Sequence, residues 1–250
     1  MLGTASAVPI SDRNPSAQVL KVHGRLFLID CGEGTQQQFR RCHMSFLKVE
    51  AIFLSHIHGD HLFGLFGVLS TMAMYGRTQK LPIYAPKSFG PVLKFYMSYF
   101  GDGMSYEPVH IPLDVHSPEL VHESRELKVS AFPLHHKIDC FGFRFDYKEK
   151  YSYAYCSDTM PFPELQEWVK DVNLLYHEAT YTCEFADKAA QRFHSTTKDA
   201  ATCAKAAGAG KLLIGHYSSR IRDISIFEKE CRDIFPDTTA TNDGDVFDIC

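Results

Sequence analysis

This chain of 250 residues lacks a hydrophobic stretch long enough to cross a bilayer, and it lacks a basic segment followed by an apolar core at its start. The longest apolar stretch, 62–75, is shorter than the ~20 residues that a transmembrane helix needs. Gly64, Gly67 and Ser70 also interrupt it. We therefore expect no membrane partner and no signal peptide, and the default location is cytoplasmic.

The cysteines lack the spacing of a disulfide framework. The 8 cysteines are scattered, and none of them forms a CxxC pair. Cys31, Cys140 and Cys156 lie in apolar or strand-like segments, so we predict that they are reduced, buried thiols.

An excess of positive charge is also missing. Lys and Arg number 26 against 30 Asp and Glu, which gives a formal net charge of -4. Proteins that bind polyanions usually present a basic face, so composition does not favour a nucleic-acid partner, and any such face must be local. The content of 45% hydrophobic and 22% charged residues is typical of a globular enzyme.

The order of predicted elements indicates two β-rich halves that each contain helices. Strands at 19–22 and 26–29 flank His23-Gly24 as a hairpin, and Thr196 to Asp199 resembles a capping box for a helix through Ala207. Strands at 238–240 and 246–249 are predicted to form a terminal hairpin. We predict one α/β domain over residues 1–250, an αββα sandwich of four layers.

The most informative segment is 56–61, which places three imidazoles and one carboxylate between two apolar runs. The run before it, 51–54, is predicted to be a buried strand, and the run after it, 62–69, a buried helix. His56 and His58 alternate in extended backbone, whereas Asp60 and His61 open the helix and point elsewhere. Imidazole and carboxylate are ligands of catalytic zinc, so this turn can serve two metal ions. Because the apolar runs hold its backbone in place, we favour metal binding over a surface histidine cluster.

A site with two metal ions needs further ligands, and the candidates lie where a strand-like run ends in a polar residue. Four runs follow this pattern, and they end in His135-His136, Asp158, His177-Glu178 and His216. Functional groups in layered α/β proteins often lie where strands stop. Each of these residues taken alone is more often a hydrogen-bonded histidine or a helix cap, but together with the turn they form a consistent set.

With its surroundings, the turn resembles the metallo-β-lactamase superfamily, and within it the ribonuclease Z family of tRNA 3′-processing endonucleases. The HxHxDH turn marks only the superfamily. Three later segments are far more specific for the family, namely His177-Glu178-Ala179-Thr180, His194-Ser195-Thr196 and His216-Tyr217-Ser218-Ser219-Arg220. The matching pieces span nearly the whole chain, and the resemblance implies the metallo-β-lactamase fold.

The resemblance also implies a set of metal ligands for two zinc ions per subunit, with Mn²⁺ as the alternative metal. The ligands of one ion are expected to be His56, His58 and His136. Those of the other are expected to be Asp60, His61 and His216, and Asp158 is expected to bridge the two ions. Asp30 and His177 are expected to hold ligands in the right tautomer.

The implied reaction cuts a precursor tRNA after its discriminator nucleotide, leaving a tRNA with a 3′ hydroxyl and a trailer with a 5′ phosphate. Asp60 is a candidate general base on the attacking water. His194, oriented by Glu178, is the expected general acid on the leaving 3′ oxygen. The residues expected to contact the substrate are Arg13, Asn14, Gly32, Gly34, Ser218 and Arg220, and the guanidinium fork of Arg220 suits a phosphate.

The resemblance further implies a homodimer in which a long basic arm of one subunit grips the tRNA that the other cuts. That arm should enter near 148–151, where this sequence has only Lys148-Glu149-Lys150 between two strands. Either the protein lacks the arm, or a flexible stretch belongs there that this sequence does not include. The missing positive charge favours the second explanation.

Three rival functions fit parts of the sequence. A phosphodiesterase or sulfatase acting on small esters would keep the metals and the fold, and a missing arm favours it. A redox di-iron protein of the same fold would want a carboxylate where His58 stands. An RNA-binding module without metal conflicts with the intact set of ligands.

Overall fold

The computed structural model describes residues 1–249 and divides into two compact units. The first unit comprises Met1–Asp114 together with Asp243–Asp245. The second comprises Val115–Asn242 together with the residues from Val246 onward. The interpretation of the chain as one domain over 1–250 stays a prediction of the sequence.

The first unit combines a mixed sheet with helices. Its strands are β1 (Ala5–Ser6), β2 (Gln18–Val22), β3 (Arg25–Ile29), β4 (Val49–Phe53), β5 (Leu81–Pro86) and β6 (Pro108–Leu113). Its helices are α1 (Thr35–Arg41), α2 (Gly59–Leu62), α3 (Leu65–Met74) and α4 (Phe89–Phe100), and a 3₁₀ turn covers Phe46–Lys48.

The five-stranded sheet of this unit has the order β2-β3-β4-β5-β6. The predicted antiparallel hairpin of β2 and β3 is confirmed, and β3, β4, β5 and β6 run parallel to one another. Strands β3 and β4 are almost entirely buried, as expected for parallel strands covered on both faces. Because neighbouring parallel strands end at the same edge, the segments after Ile29 and Phe53 emerge side by side.

The helix predicted over 62–69 is divided in the structure. Helix α2 ends at Leu62 and α3 begins at Leu65, so the turn between them is at Gly64. A Cβ atom on Gly64 would lie 2.0 Å from the carbonyl oxygen of Gly32, and the amide of Gly64 donates to the carbonyl of Cys31 at 2.9 Å. Only glycine permits this backbone approach, which brings the histidine turn against the segment after β3.

The second unit has a larger mixed sheet. Its strands are β7 (Glu119–Glu123), β8 (Leu127–Pro133), β9 (Phe141–Tyr147), β10 (Tyr151–Cys156), β11 (Leu174–Glu178), β12 (Lys211–Gly215), β13 (Tyr217–Ser218) and β14 (Thr238–Ala240). Its helices are α5 (Pro163–Trp168), α6 (Ala186–Arg192), α7 (Thr197–Ala207) and α8 (Ser225–Arg232), with a 3₁₀ turn at Cys183–Phe185.

The seven-stranded sheet of this unit has the order β14-β12-β11-β10-β9-β8-β7. Strands β10, β11, β12 and β14 are parallel, whereas β7, β8, β9 and β10 alternate in direction. Strand β8 therefore runs in the same direction as β10. The predicted capping box is confirmed, since the Thr196 side chain accepts from the Asp199 amide and the Asp199 carboxylate accepts from the Thr196 amide.

The hairpin of β9 and β10 closes with a tight turn. Tyr147 pairs with Tyr151, and the Lys150 amide donates to the Tyr147 carbonyl at 3.0 Å. Lys148 and Glu149 adopt left-handed φ angles of 49° and 55°. Three residues thus complete the connection in this chain at the place where the resemblance implies an arm.

The predicted terminal hairpin is wrong. Strand β14 pairs in parallel with β12, and 246–249 contains no strand. The Asp243 carboxylate instead accepts hydrogen bonds from the Asn14 amide at 2.7 Å and from the Thr4 hydroxyl at 2.8 Å. These bonds hold Asp243 within the first unit, to which Asp243–Asp245 belong, so this turn does not join two strands.

Within residues 1–249, the seven cysteines are free thiols, and Cys31, Cys140 and Cys156 are buried as predicted. None of the helices described there has the length and apolarity needed to span a membrane.

Candidate metal centre

The first group of site residues lies where β3 and β4 end. Asp30 follows β3 directly, and its amide donates to the carbonyl of Phe53, the last residue of β4, at 2.8 Å. The Asp30 carboxylate accepts from the amide of Ser55 at 2.7 Å and from its hydroxyl at 2.8 Å. Asp30 has a left-handed φ of 53°, which non-glycine residues rarely adopt and which is common near functional sites.

Asp30 also orients His61. The Nδ1 atom of His61 is 2.7 Å from Oδ2 of Asp30, and both side chains are buried. Because a carboxylate only accepts, Nδ1 carries the proton and Nε2 keeps its lone pair for a metal ion. That Nε2 atom is 3.6 Å from Oδ2 of Asp60, which also accepts from the amide of Ala7 at 2.7 Å. This geometry is what the expected orienting role of Asp30 requires.

His56 and His58 present ring nitrogens to each other. Nε2 of His56 is 2.9 Å from Nδ1 of His58, and Nδ1 of His56 is 3.0 Å from the hydroxyl of Ser55. Two nitrogens that each lie about 2.0–2.1 Å from one zinc ion are at most about 4 Å apart. The pair is therefore spaced as two ligands of one ion, and Ser55 occupies the other nitrogen of His56.

The second group of site residues lies at one edge of the larger sheet. Asp158, Glu178 and His216 stand at or just beyond the carboxyl ends of β10, β11 and β12, which are parallel neighbours. His136 follows β8, which runs in the same direction. Asp158 and His216 have left-handed φ angles of 59° and 62°. Because these strands run in the same direction, they end at the same edge of the sheet, and the four side chains that follow them lie at that edge.

The two carboxylate oxygens of Asp158 face different histidines. Oδ1 is 3.9 Å from Nε2 of His136, and Oδ2 is 3.3 Å from Nε2 of His216. The other nitrogen of His136, Nδ1, donates to the Phe193 carbonyl at 3.1 Å. A carboxylate with this arrangement can give one oxygen to each of two ions. His135, by contrast, is exposed and stacks on Phe162 with ring centroids 4.0 Å apart.

His194, which is partly exposed, and the buried Glu178 form a hydrogen-bonded pair beside Asp158. Nδ1 of His194 donates to Oε1 of Glu178 at 2.9 Å and is 3.7 Å from Oδ1 of Asp158. Asp158, His194 and His216 offer ligand atoms that lie within 4.8 Å of one another. The nitrogen of His194 that faces Asp158 is Nδ1, the same atom that donates to Glu178, whereas His136 and His216 turn Nε2 toward Asp158. His194 is therefore better suited to proton transfer than to metal binding.

Glu178 is fully buried and receives several donors. Its carboxylate accepts from the amide of Thr159 at 2.8 Å and from the amide of Thr180 at 3.2 Å. Burial alone would raise the pKa of Glu178, but the charge and hydrogen bond of His194 outweigh it, so that pKa lies below its ordinary value. Glu178 is therefore an ionised acceptor that holds the imidazole of His194 in one orientation.

His177 does not have the expected contact with a metal ligand. Its Nδ1 atom donates to the carbonyl of the next residue, Glu178, at 2.8 Å. The ring is buried, and its pKa is lowered, chiefly by burial. Neighbouring residues of a strand point to opposite faces, so His177 and Glu178 cannot both face the same cluster. His177 is a neutral residue of the protein interior.

The residues expected to bind substrate have several structural roles. Asn14 donates from its amide side chain to Asp243 at 2.9 Å, and a Cβ on Gly34, whose φ is +86°, would lie 2.3 Å from the Asn14 side-chain oxygen. A Cβ on Gly32 would lie 2.4 Å from the Asp60 carbonyl. Backbone geometry thus explains both glycines without a bound phosphate.

The three other expected substrate contacts differ in exposure. Arg13 is buried and exchanges backbone hydrogen bonds with Ile10. Ser218 is buried, and its amide donates to the Thr180 carbonyl at 3.1 Å. Arg220 is exposed and able to reach a ligand in solution.

Several residues that orient the site were not predicted from the sequence. They are Ala7, Ser55, Thr159, Thr180 and Phe193, and each supplies a hydrogen bond to a site side chain through its backbone or its hydroxyl group. Thr180 and Ser55 act through their side-chain hydroxyls, and Thr180 belongs to the segment His177-Glu178-Ala179-Thr180. Ala7, Thr159 and Phe193 act through backbone amide or carbonyl groups, which every residue has, so the sequence gives no signal for these contacts.

The chemistry of the donors fits a divalent transition metal. Four histidines have one ring nitrogen held by a protein group and the other turned toward a further expected ligand, namely His56, His61, His136 and His216. This arrangement is typical of metal-binding histidines. The described residues include groups of three His and Asp side chains that could hold a metal ion.

Comparisons with known proteins agree with this chemistry. Residues 25–217 match the family model of the beta-lactamase superfamily domain. The chain is 35% identical to a ribonuclease Z of Porphyromonas gingivalis over 291 residues, with 97% of this chain and 96% of the relative covered. It is 34% identical to a ribonuclease Z of Bacteroides fragilis over 292 residues, with 98% of this chain and 96% of the relative covered.

Solved structures with the same fold include two that cover nearly all of this chain. The short form of human tRNase Z is 28% identical, with a TM-score of 0.88 and with 99% of this chain and 97% of that chain covered. The metallo-beta-lactamase fold protein YhfI of Bacillus subtilis is 19% identical, with a TM-score of 0.84 and with 98% of this chain and 96% of that chain covered. At this identity the likeness supports the fold of this chain and nothing further. These likenesses confirm the predicted fold class, an α/β layered sandwich.

Proposed function

Because the chain belongs to the beta-lactamase superfamily and, within it, to the ribonuclease Z family, we propose that it is a metal-dependent endoribonuclease that removes the 3′ trailer from tRNA precursors. The products would be a tRNA with a 3′ hydroxyl and a trailer with a 5′ phosphate. The observation that carries this proposal is the His194–Glu178 pair beside the metal-binding side chains. Such a pair can protonate a poor leaving group such as a ribose 3′ oxygen.

The proposed metals are two zinc ions, with Mn²⁺ as the alternative. His56, His58 and His136 would hold one ion; Asp60, His61 and His216 would hold the other, and Asp158 would bind both. The spacing of His56 and His58 and the two oxygens of Asp158 support this division. When bound, two such ions activate water and neutralise the charge that develops on the phosphate.

The residues of this chain would orient the metal ligands and transfer protons during cleavage. Asp30 and Ser55 hold His61 and His56, and the Phe193 carbonyl holds His136, so the ligands need little rearrangement on binding. Asp60 would accept a proton from the attacking water. His194, held at Nδ1 by Glu178, would give the proton on Nε2 to the leaving 3′ oxygen, and the exposed Arg220 would contact a phosphate.

The direct test is cleavage of a precursor tRNA with an extended 3′ end by the purified, zinc-loaded protein. We expect one cut after the discriminator nucleotide, read by sequencing gel and by the chemistry of the new ends. His61→Ala is expected to abolish the cut while RNA binding persists. Asp102→Asn, a change at an exposed residue, serves as the matched control. An intact precursor after incubation with the wild-type protein would refute the proposal.

A second candidate function, hydrolysis of small phosphodiesters or sulfate esters, is favoured by the short connection between β9 and β10. The matched region of 291 residues exceeds this chain of 250, so the Porphyromonas relative contains stretches that have no counterpart here. If one of them is a tRNA-gripping arm, the grip of this chain on tRNA is weak. A higher kcat/KM for a chromogenic diester than for precursor tRNA would favour the second function.

We also propose that the protein is a cytoplasmic homodimer, as the family resemblance implies. Three aromatic residues of α4, namely Phe95, Tyr99 and Phe100, are 63%, 70% and 64% exposed, and exposed apolar patches often mark contacts between proteins. Light scattering of the purified protein tests the assembly. A mass equal to one chain at micromolar concentration would contradict it.

A further inference from the structure

The hydroxyl of Thr180 lies among three side chains of the site. Its Oγ1 atom is 2.5 Å from Oε2 of Glu178, 2.9 Å from Nδ1 of His216 and 3.4 Å from Nδ1 of His194. The side chain of Thr180 is buried, so water does not compete for these contacts. One hydroxyl therefore touches both an expected metal ligand and the pair expected to transfer the proton.

The directions of these hydrogen bonds follow from the chemistry of the groups. Glu178 receives backbone amides on both oxygens, from Thr159 and from Thr180 itself, which is the environment of a carboxylate. A carboxylate only accepts, so the single proton of the Thr180 hydroxyl points to Oε2 of Glu178. The hydroxyl oxygen then has lone pairs left, and it accepts from the Nδ1–H of His216.

That acceptor decides the tautomer of His216. With the proton on Nδ1, the lone pair of the ring is on Nε2, which is the atom that lies 3.3 Å from Oδ2 of Asp158. The other oxygen of Glu178 accepts from Nδ1 of His194 at 2.9 Å. A continuous series of hydrogen bonds thus runs from His216 through Thr180 and Glu178 to His194.

We infer that Thr180 is a positioning residue, whose hydroxyl sets the orientation of the metal ligand His216 and of the Glu178–His194 pair at the same time. The effect of Thr180 on RNA cleavage rests on the proposed function. Its effect on metal binding does not depend on which substrate the protein cleaves. A purely structural role would need only the shape of threonine at this buried place.

Two substitutions separate the hydroxyl from the shape. Thr180→Val keeps the branched outline and removes the hydroxyl, which leaves Nδ1–H of His216 without an acceptor. Thr180→Ser keeps the hydroxyl and removes the methyl group. The matched control is Thr241→Val, because Thr241 is equally buried and its hydroxyl donates to the Ile214 carbonyl at 2.8 Å, outside this series.

The first readout is the affinity of the metal-free full chain for Zn²⁺ alone, measured by competition with a chromophoric chelator. Loss of a hydrogen-bond partner of a metal-binding histidine typically lowers metal affinity about 10–100-fold. We expect that loss for one of the two zinc equivalents in Thr180→Val, and affinities close to wild type in Thr180→Ser and Thr241→Val. Equal affinities in Thr180→Val and the wild type would overturn the inference, as would equal losses in Thr180→Val and Thr180→Ser.

The second readout needs no variant and applies even if Thr180→Val fails to fold. Imidazole ¹⁵N NMR of the zinc-loaded wild-type protein reports which nitrogen of His216 carries the proton. A proton on Nδ1 that exchanges slowly supports the series, and a proton on Nε2 overturns it.

Cleavage assays then separate this inference from the proposed function. A lower kcat of Thr180→Val on precursor tRNA, restored in Thr180→Ser, supports both. A zinc defect in Thr180→Val together with a wild-type protein that cleaves no precursor supports the positioning role and refutes the nuclease.

Discussion

The Nδ1 atom of His61 lies 2.7 Å from the Oδ2 atom of Asp30, and neither side chain is accessible to solvent. Ser55 donates to the same carboxylate from its amide and its hydroxyl. Asp30 thus fixes the tautomer of the expected ligand His61 and holds the backbone at Ser55, directly before the expected ligand His56. These contacts place Asp30 behind the metal site although it is not an expected ligand.

Asp30→Asn should lower zinc affinity about 10–100-fold, the usual result of changing the partner of a metal-binding histidine. The three groups that face Asp30 are donors, and the NH₂ group of asparagine cannot accept from them. Zinc competition titration measures the effect, with Asp102→Asn as control. Zinc affinity unchanged in Asp30→Asn would show that the orientation of His61 does not depend on Asp30.

Removal of metal should lower the melting temperature. A ligand that binds only the folded state stabilises it by RT ln(1 + [L]/Kd), about 2.7 kcal/mol at a ligand concentration of 100 Kd. We expect a lower Tm after treatment with a chelator and its recovery when Zn²⁺ is added back. Calorimetry of His58→Ala supplies the comparison, since zinc should raise the Tm of that variant by less than it raises the Tm of the wild type. A Tm that is independent of zinc would argue against a metal held by folded protein.

Glu178→Gln and His194→Ala should each lower kcat by roughly 10²–10⁴, the usual contribution of a general acid. Since His194 is held by Glu178 at 2.9 Å, the two residues act as a unit, and the double variant should lose little more than either single variant. Single-turnover cleavage measures the three rates. Zinc content close to wild type in His194→Ala is the required control, and additive losses would show that the residues act independently.

His177 should make stability depend on pH. Burial lowers the pKa of His177 below its ordinary value of about 6.5. Below pH 6.5 the unfolded chain therefore binds a proton that the folded chain does not, so the free energy of unfolding falls as pH falls, by at most about 1.4 kcal/mol per pH unit for one group. Above that pH the contribution is constant.

His177→Asn removes this titration while its amide can still donate to the Glu178 carbonyl. Urea unfolding of both proteins between pH 5 and pH 8, without metal, is the measurement. We expect the free energy of unfolding of the variant to fall less steeply below pH 6.5. Parallel curves for the two proteins would mean that His177 is not the group responsible.

Local patterns in the sequence predicted the elements that depend on near neighbours. The hairpin around His23-Gly24 and the capping box of Thr196 and Asp199 were predicted correctly because turn and cap chemistry act over a few residues. The rule that polar residues follow strands also located Asp158 and His216. The terminal hairpin was wrong because Asp243 bonds to Thr4 and Asn14, more than two hundred residues away.

The amino-acid sequence by itself determined the fold class, the family and the residue types of the metal site. Periodicity and motifs involve residues that are close together in the chain, so they can be recognised without a tertiary structure. Only the tertiary structure decided which group holds each ring: Asp30 for His61, the Phe193 carbonyl for His136 and Thr180 for His216. It also decided that His177 faces away from its neighbour Glu178. The physical reason is that a hydrogen bond depends on distance and angle between groups that folding brings together, and a carbonyl has no signature in the sequence.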